Sequence, residues 1–164
     1  MPAPYRMKTQ MKLLDTLSAH IKQTTGKPFQ AKRQRSVSGG DINTAFVIED
    51  GQTAYFVKTN QADKLDMFAA EAAGLNEILA SHSLRAPRPM CHGKTDELAY
   101  LVLEYIALHD GDSRSAEGLG LQLAQMHRQT AANFGWEIDN TIGATPQINT
   151  WDADWVRFYG QQRL

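Results

Sequence analysis

An α+β fold, in which five short strands and one long helix precede a helical segment, is predicted from three features of the chain. Apolar residues recur at helical spacing over Lys8–Thr24 and again from about Lys64 to Ser81. Between these stretches, β-rich runs are divided by tight-turn residues, with Asp50-Gly51 the clearest hairpin signal. After His109 the chain turns polar and then resumes helical spacing.

In the first helix, Met11, Leu13, Leu14, Leu17 and Ile21 fall on one side. A strand is expected through Gln30–Val37, then a turn at Ser38-Gly39-Gly40-Asp41. Strands at Thr44–Ile48 and Thr53–Lys58 follow, joined by Glu49-Asp50-Gly51-Gln52. Asp63 is placed to cap the long helix, whose apolar face is Leu65, Phe68, Ala72, Leu75, Ile78 and Leu79. Ala86-Pro87-Arg88-Pro89 stops any helix. Short strands are expected at Met90–Gly93 and Tyr100–Glu104, the latter buried on both faces. His109–Ser113 reads as a linker, Ser115–Gln129 as a helix, Asn133–Thr150 as an irregular loop, and the chain from about Trp151 as a final helix. This order is that of a protein-kinase-like fold. It divides into an N-lobe over 1–105, a five-stranded antiparallel sheet plus one long helix, and a hinge with the first helices of an incomplete C-lobe over 106–164.

Bulk properties narrow the function. Hydrophobic residues at 42% and charged residues at 21% are ordinary globular usage. Seventeen Lys plus Arg against eighteen Asp plus Glu give a net charge of -1, so no overall field draws nucleic acid or a membrane surface. No apolar run approaches the roughly 20 residues that cross a bilayer, and Met1–Gln30 lacks the order of a secretory signal, so a cytoplasmic location is expected. Cys91, the only cysteine, excludes an internal disulfide and is expected to be a buried, inert residue.

Lys58 closes the apolar run Ala-Tyr-Phe-Val-Lys, where a charge requires an anionic counterpart. Glu71 follows 13 residues later on the long helix and can supply a carboxylate that orients the ammonium. Ser38-Gly39-Gly40-Asp41-Ile42-Asn43 is a turn whose glycines let backbone amides approach a phosphate, although the same residues suit a plain hairpin turn. Leu101–Ile106 runs from an apolar strand into a linker, and the backbone of Glu104, Tyr105 and Ile106 can present its polar groups to an adenine edge; an edge of the core reads equally well there. There is no Gly-x-x-x-x-Gly-Lys-Ser/Thr loop. His127 is expected to pack or cap, and Phe134, Trp136, Trp151, Trp155, Phe158 and Tyr159 to fill core and lobe contacts.

Tyr-Phe-Val-Lys-Thr-Asn (55–60), Phe-Ala-Ala-Glu-Ala-Ala-Gly-Leu (68–75), Ala-Pro-Arg-Pro (86–89) and Leu-Val-Leu-Glu-Tyr-Ile (101–106) resemble the fructosamine and ribulosamine kinases. So do residues 119–128, Phe-Gly-Trp-Glu-Ile-Asp-Asn-Thr-Ile-Gly (134–143) and Pro-Gln-Ile-Asn-Thr-Trp-Asp-Ala-Asp-Trp (146–155). The resemblance implies ATP as cofactor, with Lys58 on its phosphates, Glu71 positioning Lys58, Ser38–Asn43 covering the phosphates and the 104–106 backbone on adenine. It implies phosphorylation of the 3-hydroxyl of a small-molecule or protein-bound ketosamine, a repair of glycated amines. The family's His-Gly-Asp-Leu-Trp-Ser-Gly-Asn and Asp-Pro segments, which carry the catalytic base and the Mg ligands, have no counterpart here. The chain is therefore expected to hold no catalytic or metal-binding residue and to be inactive alone. The alternatives are a noncatalytic nucleotide-binding module that self-associates through its exposed lobe interface, and an aminoglycoside- or choline-type kinase.

Overall fold

The structure, a computed structural model, describes residues 3–38 and 42–164, so Gly39, Gly40 and Asp41 of the expected phosphate turn lie outside the described residues. Two compact units are present, Met1–Phe68 with Pro87–Ala107 and Ala69–Ala86 with Leu108–Leu164.

The first unit is built on a five-stranded sheet of β1 (Arg33–Val37), β2 (Thr44–Glu49), β3 (Ala54–Gln61), β4 (Pro89–Lys94) and β5 (Leu98–Glu104). Its order is β1-β2-β3-β5-β4 and every pairing is antiparallel. One face is covered by α1 (Ala3–Thr25). Leu13, Leu17 and Ile21, spaced four apart, pack with Phe46, Ile48, Tyr55, Val57, Cys91, Tyr100 and Val102. Each side chain buried outright there contributes about 2 kcal/mol. Met11 departs from expectation and is 61% exposed. It sits six residues before Leu17, about 120° round the helix from the buried stripe. Polar groups at this interface are paired: His20 Nδ1 meets the Tyr100 hydroxyl at 2.9 Å, and Ser18 Oγ accepts the Ala31 N–H.

The β2–β3 hairpin forms as its sequence requires. Gly51 takes φ 101°, in the region where a side chain is strained. The Asp50 carboxylate accepts the N–H groups of Gln52 and Thr53, both at 2.8 Å, which holds its pKa below the ordinary carboxylate range. β1 begins at Arg33 rather than Gln30, because Phe29 turns into the core and stacks edge-on against Tyr55 at 5.0 Å. Cys91 is buried as expected, and desolvation pushes its thiol up to about 12. Asp63 does not cap the long helix: it lies inside a 3-10 turn, Ala62–Lys64, that leads into α2 (Leu65–Ala80) and has no side-chain cap. Phe68 is fully buried; Leu75, Ile78 and Leu79 are half-buried, and Ala70 is buried as well.

The second unit holds the rest of α2 with α3 (Ser113–Met126), α4 (Trp155–Gln162) and a hairpin of β6 (Asn140–Ile142) and β7 (Thr145–Gln147). This hairpin replaces part of the expected irregular loop. Its strands are three residues each and contain Pro146, too short for a period-two pattern, and Gly143 at φ 64° makes the turn. The buried Asn149 organises the segment: its amide donates to the Ile138 carbonyl and to Asn140 Oδ1, its N–H to Asp139, and its oxygen accepts Arg163. α4 starts four residues later than expected because Asp154, not a residue near Trp151, accepts the Arg157 N–H as cap. The aromatic residues correct the sequence reading. Phe158 is buried, whereas Phe134, Trp151, Trp155 and Tyr159 are 41–50% exposed. Trp136 Nε1 donates to Glu77, and His127 is the exposed C-terminal cap residue of α3.

α3 opens with a reciprocal capping box: Asp112 Oδ1 accepts the Ser115 N–H at 2.8 Å, and Ser115 Oγ accepts the Asp112 N–H. The Ser115 hydroxyl and N–H lower the Asp112 pKa. A carboxyl with a depressed folded-state pKa stabilises above its unfolded value near 3.9 and ceases to do so as pH falls through the folded value. The Ser115 amide should therefore lose exchange protection below about pH 4. Asp112→Asn, which keeps an acceptor without the titration, should remove that pH dependence; an unchanged profile would contradict the cap's role.

No helix among the described residues is long and apolar enough to cross a membrane.

Candidate functional site

Strand alternation decides which side chains face away from α1. On β3, Tyr55, Val57 and Thr59 are buried on the α1 side, so Phe56, Lys58 and Asn60 project from the opposite face. Antiparallel register places residues beside them in rows across the strands. Lys58 stands in the row Val37, Ala45, Lys58, Leu101, and the adjacent row is Arg35, Val47, Phe56, Leu103. Val47, Leu101 and Leu103 are buried and Lys58 half-buried. The outcome is a largely apolar strip with the Lys58 ammonium on its central strand.

The segment expected to read adenine begins at the end of β5. Glu104 pairs with Tyr55, and its N–H donates to the Arg88 carbonyl at 2.8 Å, while its carboxylate accepts the Arg88 N–H at 3.3 Å. The Glu104 N–H is thereby committed, and Tyr105 and Ile106, both half-buried, follow it. Further along, Ser38 is exposed and Asn43 half-buried. Glu71 lies on α2, half-buried, in the second unit.

Two residues given no role by the sequence belong to this face. Asn60 donates from Nδ2 to the Ile42 carbonyl at 3.1 Å and to Asn43 Oδ1 at 2.8 Å, and its own Oδ1 accepts the Gln61 N–H. It thereby ties Ile42 and Asn43 to β3, two residues from Lys58. Its position on the Lys58 face, read by period-two alternation, is the signal that finds it. Arg35 donates from Nη2 to the Tyr105 hydroxyl at 2.7 Å, a contact between residues 70 apart that no local pattern announces. A cation on an apolar strip, near a strand end and the Ile42–Asn43 segment held by Asn60, can receive a flat apolar ring with an anionic tail. Among the described residues no group of three or more His, Cys, Asp or Glu is placed to hold a metal ion.

The fructosamine kinase family model matches residues 13–164. A Synechocystis protein named as a probable ketoamine kinase is 44% identical over 164 residues, covering 99% of this chain and 52% of that protein. The chloroplastic protein-ribulosamine 3-kinase of Arabidopsis thaliana is 42% identical over 147 residues, covering 86% of this chain and 44% of its own length. Among solved structures, one assigned as a fructosamine-3-kinase from Haemophilus somnus superposes with a TM-score of 0.84 at 25% identity, over 90% of this chain and 50% of that one. Its Thermobifida fusca counterpart gives 0.71 at 29% identity, with the same coverages of 90% and 50%. The chain thus spans about half the length of the curated relatives it matches.

Proposed function

The chain belongs to the fructosamine kinase family, and on that premise we propose that the whole protein transfers the γ-phosphoryl group of ATP to the 3-hydroxyl of a ketosamine. This chain supplies the nucleotide-binding half. The observation that carries the reading is Lys58, an ammonium standing in the row Val37, Ala45, Leu101, on the strand that pairs with β5 three residues before its end at Glu104. The names of the Synechocystis and Arabidopsis relatives support the substrate class.

In this proposal Lys58 holds the α- and β-phosphates and Glu71 orients its ammonium. The backbone of Tyr105 and Ile106, with Glu104 fixed behind them, reads the adenine edge. The turn Ser38–Asn43, tethered by Asn60, covers the phosphates. The lobe division at 105/106 is part of the same reading. The transfer breaks the bond between the γ-phosphorus and its bridging oxygen, releasing ADP, and forms one to the sugar oxygen, whose proton passes to a base. No residue of this chain is assigned as that base, and Mg²⁺, which would neutralise the phosphates, is assigned no ligand here. By itself the chain positions a nucleotide and transfers essentially nothing.

Phosphorus NMR on full-length protein with ATP, Mg²⁺ and either ribulose-lysine or fructose-lysine tests this. The expected product is the ketosamine 3-phosphate, and absence of turnover with both substrates overturns the reading. A second reading, self-association, is favoured by the exposure of Leu119 and Leu121 on α3 and of Trp155 and Val156 on α4. Sedimentation of the chain as a monomer at high concentration would count against it.

A further inference from the structure

Arg35 and Tyr105 make a contact that neither the core nor phosphate binding accounts for. By register Arg35 belongs to the row Val47, Phe56, Leu103, on the face that carries Lys58. Tyr105 follows the last residue of β5, and β5 lies three places from β1 in the order β1-β2-β3-β5. Three strand spacings amount to about 14 Å. Yet the Arg35 guanidinium donates to the Tyr105 hydroxyl at 2.7 Å, and its carbon lies 5.1 Å from the ring centroid. Two long side chains reaching toward each other span this gap, on the face that also carries Val47 and Phe56. Holding an exposed arginine in one rotamer costs up to about 2 kcal/mol, while an exposed cation–π contact returns roughly 0.5–1 kcal/mol. The charge-assisted hydrogen bond offsets the rest of that cost, so the pair holds itself together, and a ring lying on the strip would meet both the guanidinium plane and the tyrosine.

We propose that Arg35 and Tyr105 form a clasp that closes over the base of a bound nucleotide and determines specificity for a planar ring. The inference rests on the reading of this face as a nucleotide site. The guanidinium stacks on aromatic planes in a way that an ammonium does not. The clasp parts to admit the base and re-forms across it, so it acts on the base and not on the phosphates.

Calorimetric titration of the chain with ATP and, separately, with inorganic tripolyphosphate distinguishes base from phosphate. Arg35→Ala should weaken ATP binding roughly tenfold and leave tripolyphosphate unchanged. Arg35→Lys should behave like the alanine variant, and Arg35→Ala with Tyr105→Ala should be no weaker than either single change, since the two act as one unit. Unchanged ATP affinity in Arg35→Ala, or an equal loss for both ligands, overturns the clasp. Lys58→Met separates the two levels of the argument. If it weakens both ligands while Arg35→Ala weakens neither, the site stands and the clasp falls. If neither ligand responds to Lys58→Met, or the unaltered chain binds neither, the site reading falls and the clasp with it.

Discussion

Replacing Lys58 with methionine should weaken ATP binding by thirty- to a hundredfold, with a smaller effect on the melting temperature of the chain. The loss follows from removing a charge-assisted contact to phosphate, about 2 to 3 kcal/mol, with every 1.4 kcal/mol worth about tenfold in affinity. The fold should tolerate the change because Lys58 sits between Ala45 and Leu101 in its row, where an unbranched apolar side chain of similar length fits. A loss of affinity accompanied by a matching loss of stability would mean that Lys58 serves the fold instead of a ligand. Retained affinity would remove it from the site altogether.

Gly135→Ala should be the most damaging single change to the second unit, costing about 4 kcal/mol, the sum of a strained backbone and an overpacked contact. Gly135 holds φ 137°, and a Cβ built on it would come within 2.7 Å of the Asn149 carbonyl oxygen and 2.9 Å of the Trp151 Cα. Both obstacles are backbone, and neither can retreat cheaply. Phe134 and Asp152 exchange two hydrogen bonds at 2.8 Å, and the Trp136 N–H donates to the same Asn149 oxygen at 2.9 Å. Any shift that relieves the clash breaks these and disturbs the amide network of Asn149, which anchors Arg163. Denaturant unfolding followed by tryptophan fluorescence should show the loss directly. A change below about 1 kcal/mol, the scale of ordinary surface substitution, would contradict the packing described for 134–152.

What the sequence made legible were features that depend on near neighbours. The buried stripe Leu13, Leu17, Ile21 follows from spacing alone, and Asp50-Gly51 announces its hairpin because a carboxylate that accepts two following N–H groups and a residue that tolerates positive φ are both local requirements. Lys58 is conspicuous because a charge ending the apolar run Ala54–Val57 has few places to go, although β3 itself continues to Gln61. The rest is non-local or short. Arg35 meets Tyr105 only through sheet order, and the three-residue strands β6 and β7 carry no periodic signal. The aromatic residues around α4 misled because large apolar side chains were assigned to the core by composition, although Trp155 is half exposed and stacks on Phe134 and Tyr159 at 5.2 and 5.3 Å near the surface. Asp63 offered a plausible cap in sequence, but the chain leaves β3 through a 3-10 turn that consumes it.

Protection of individual lysines from an amine-reactive reagent, read by mass spectrometry with and without ATP, tests the placement of phosphate most directly. Saturating ATP should slow modification of Lys58 severalfold or more and leave the exposed Lys27 and Lys32 unaffected. Equal labelling of Lys58 in the presence and absence of nucleotide would contradict the account.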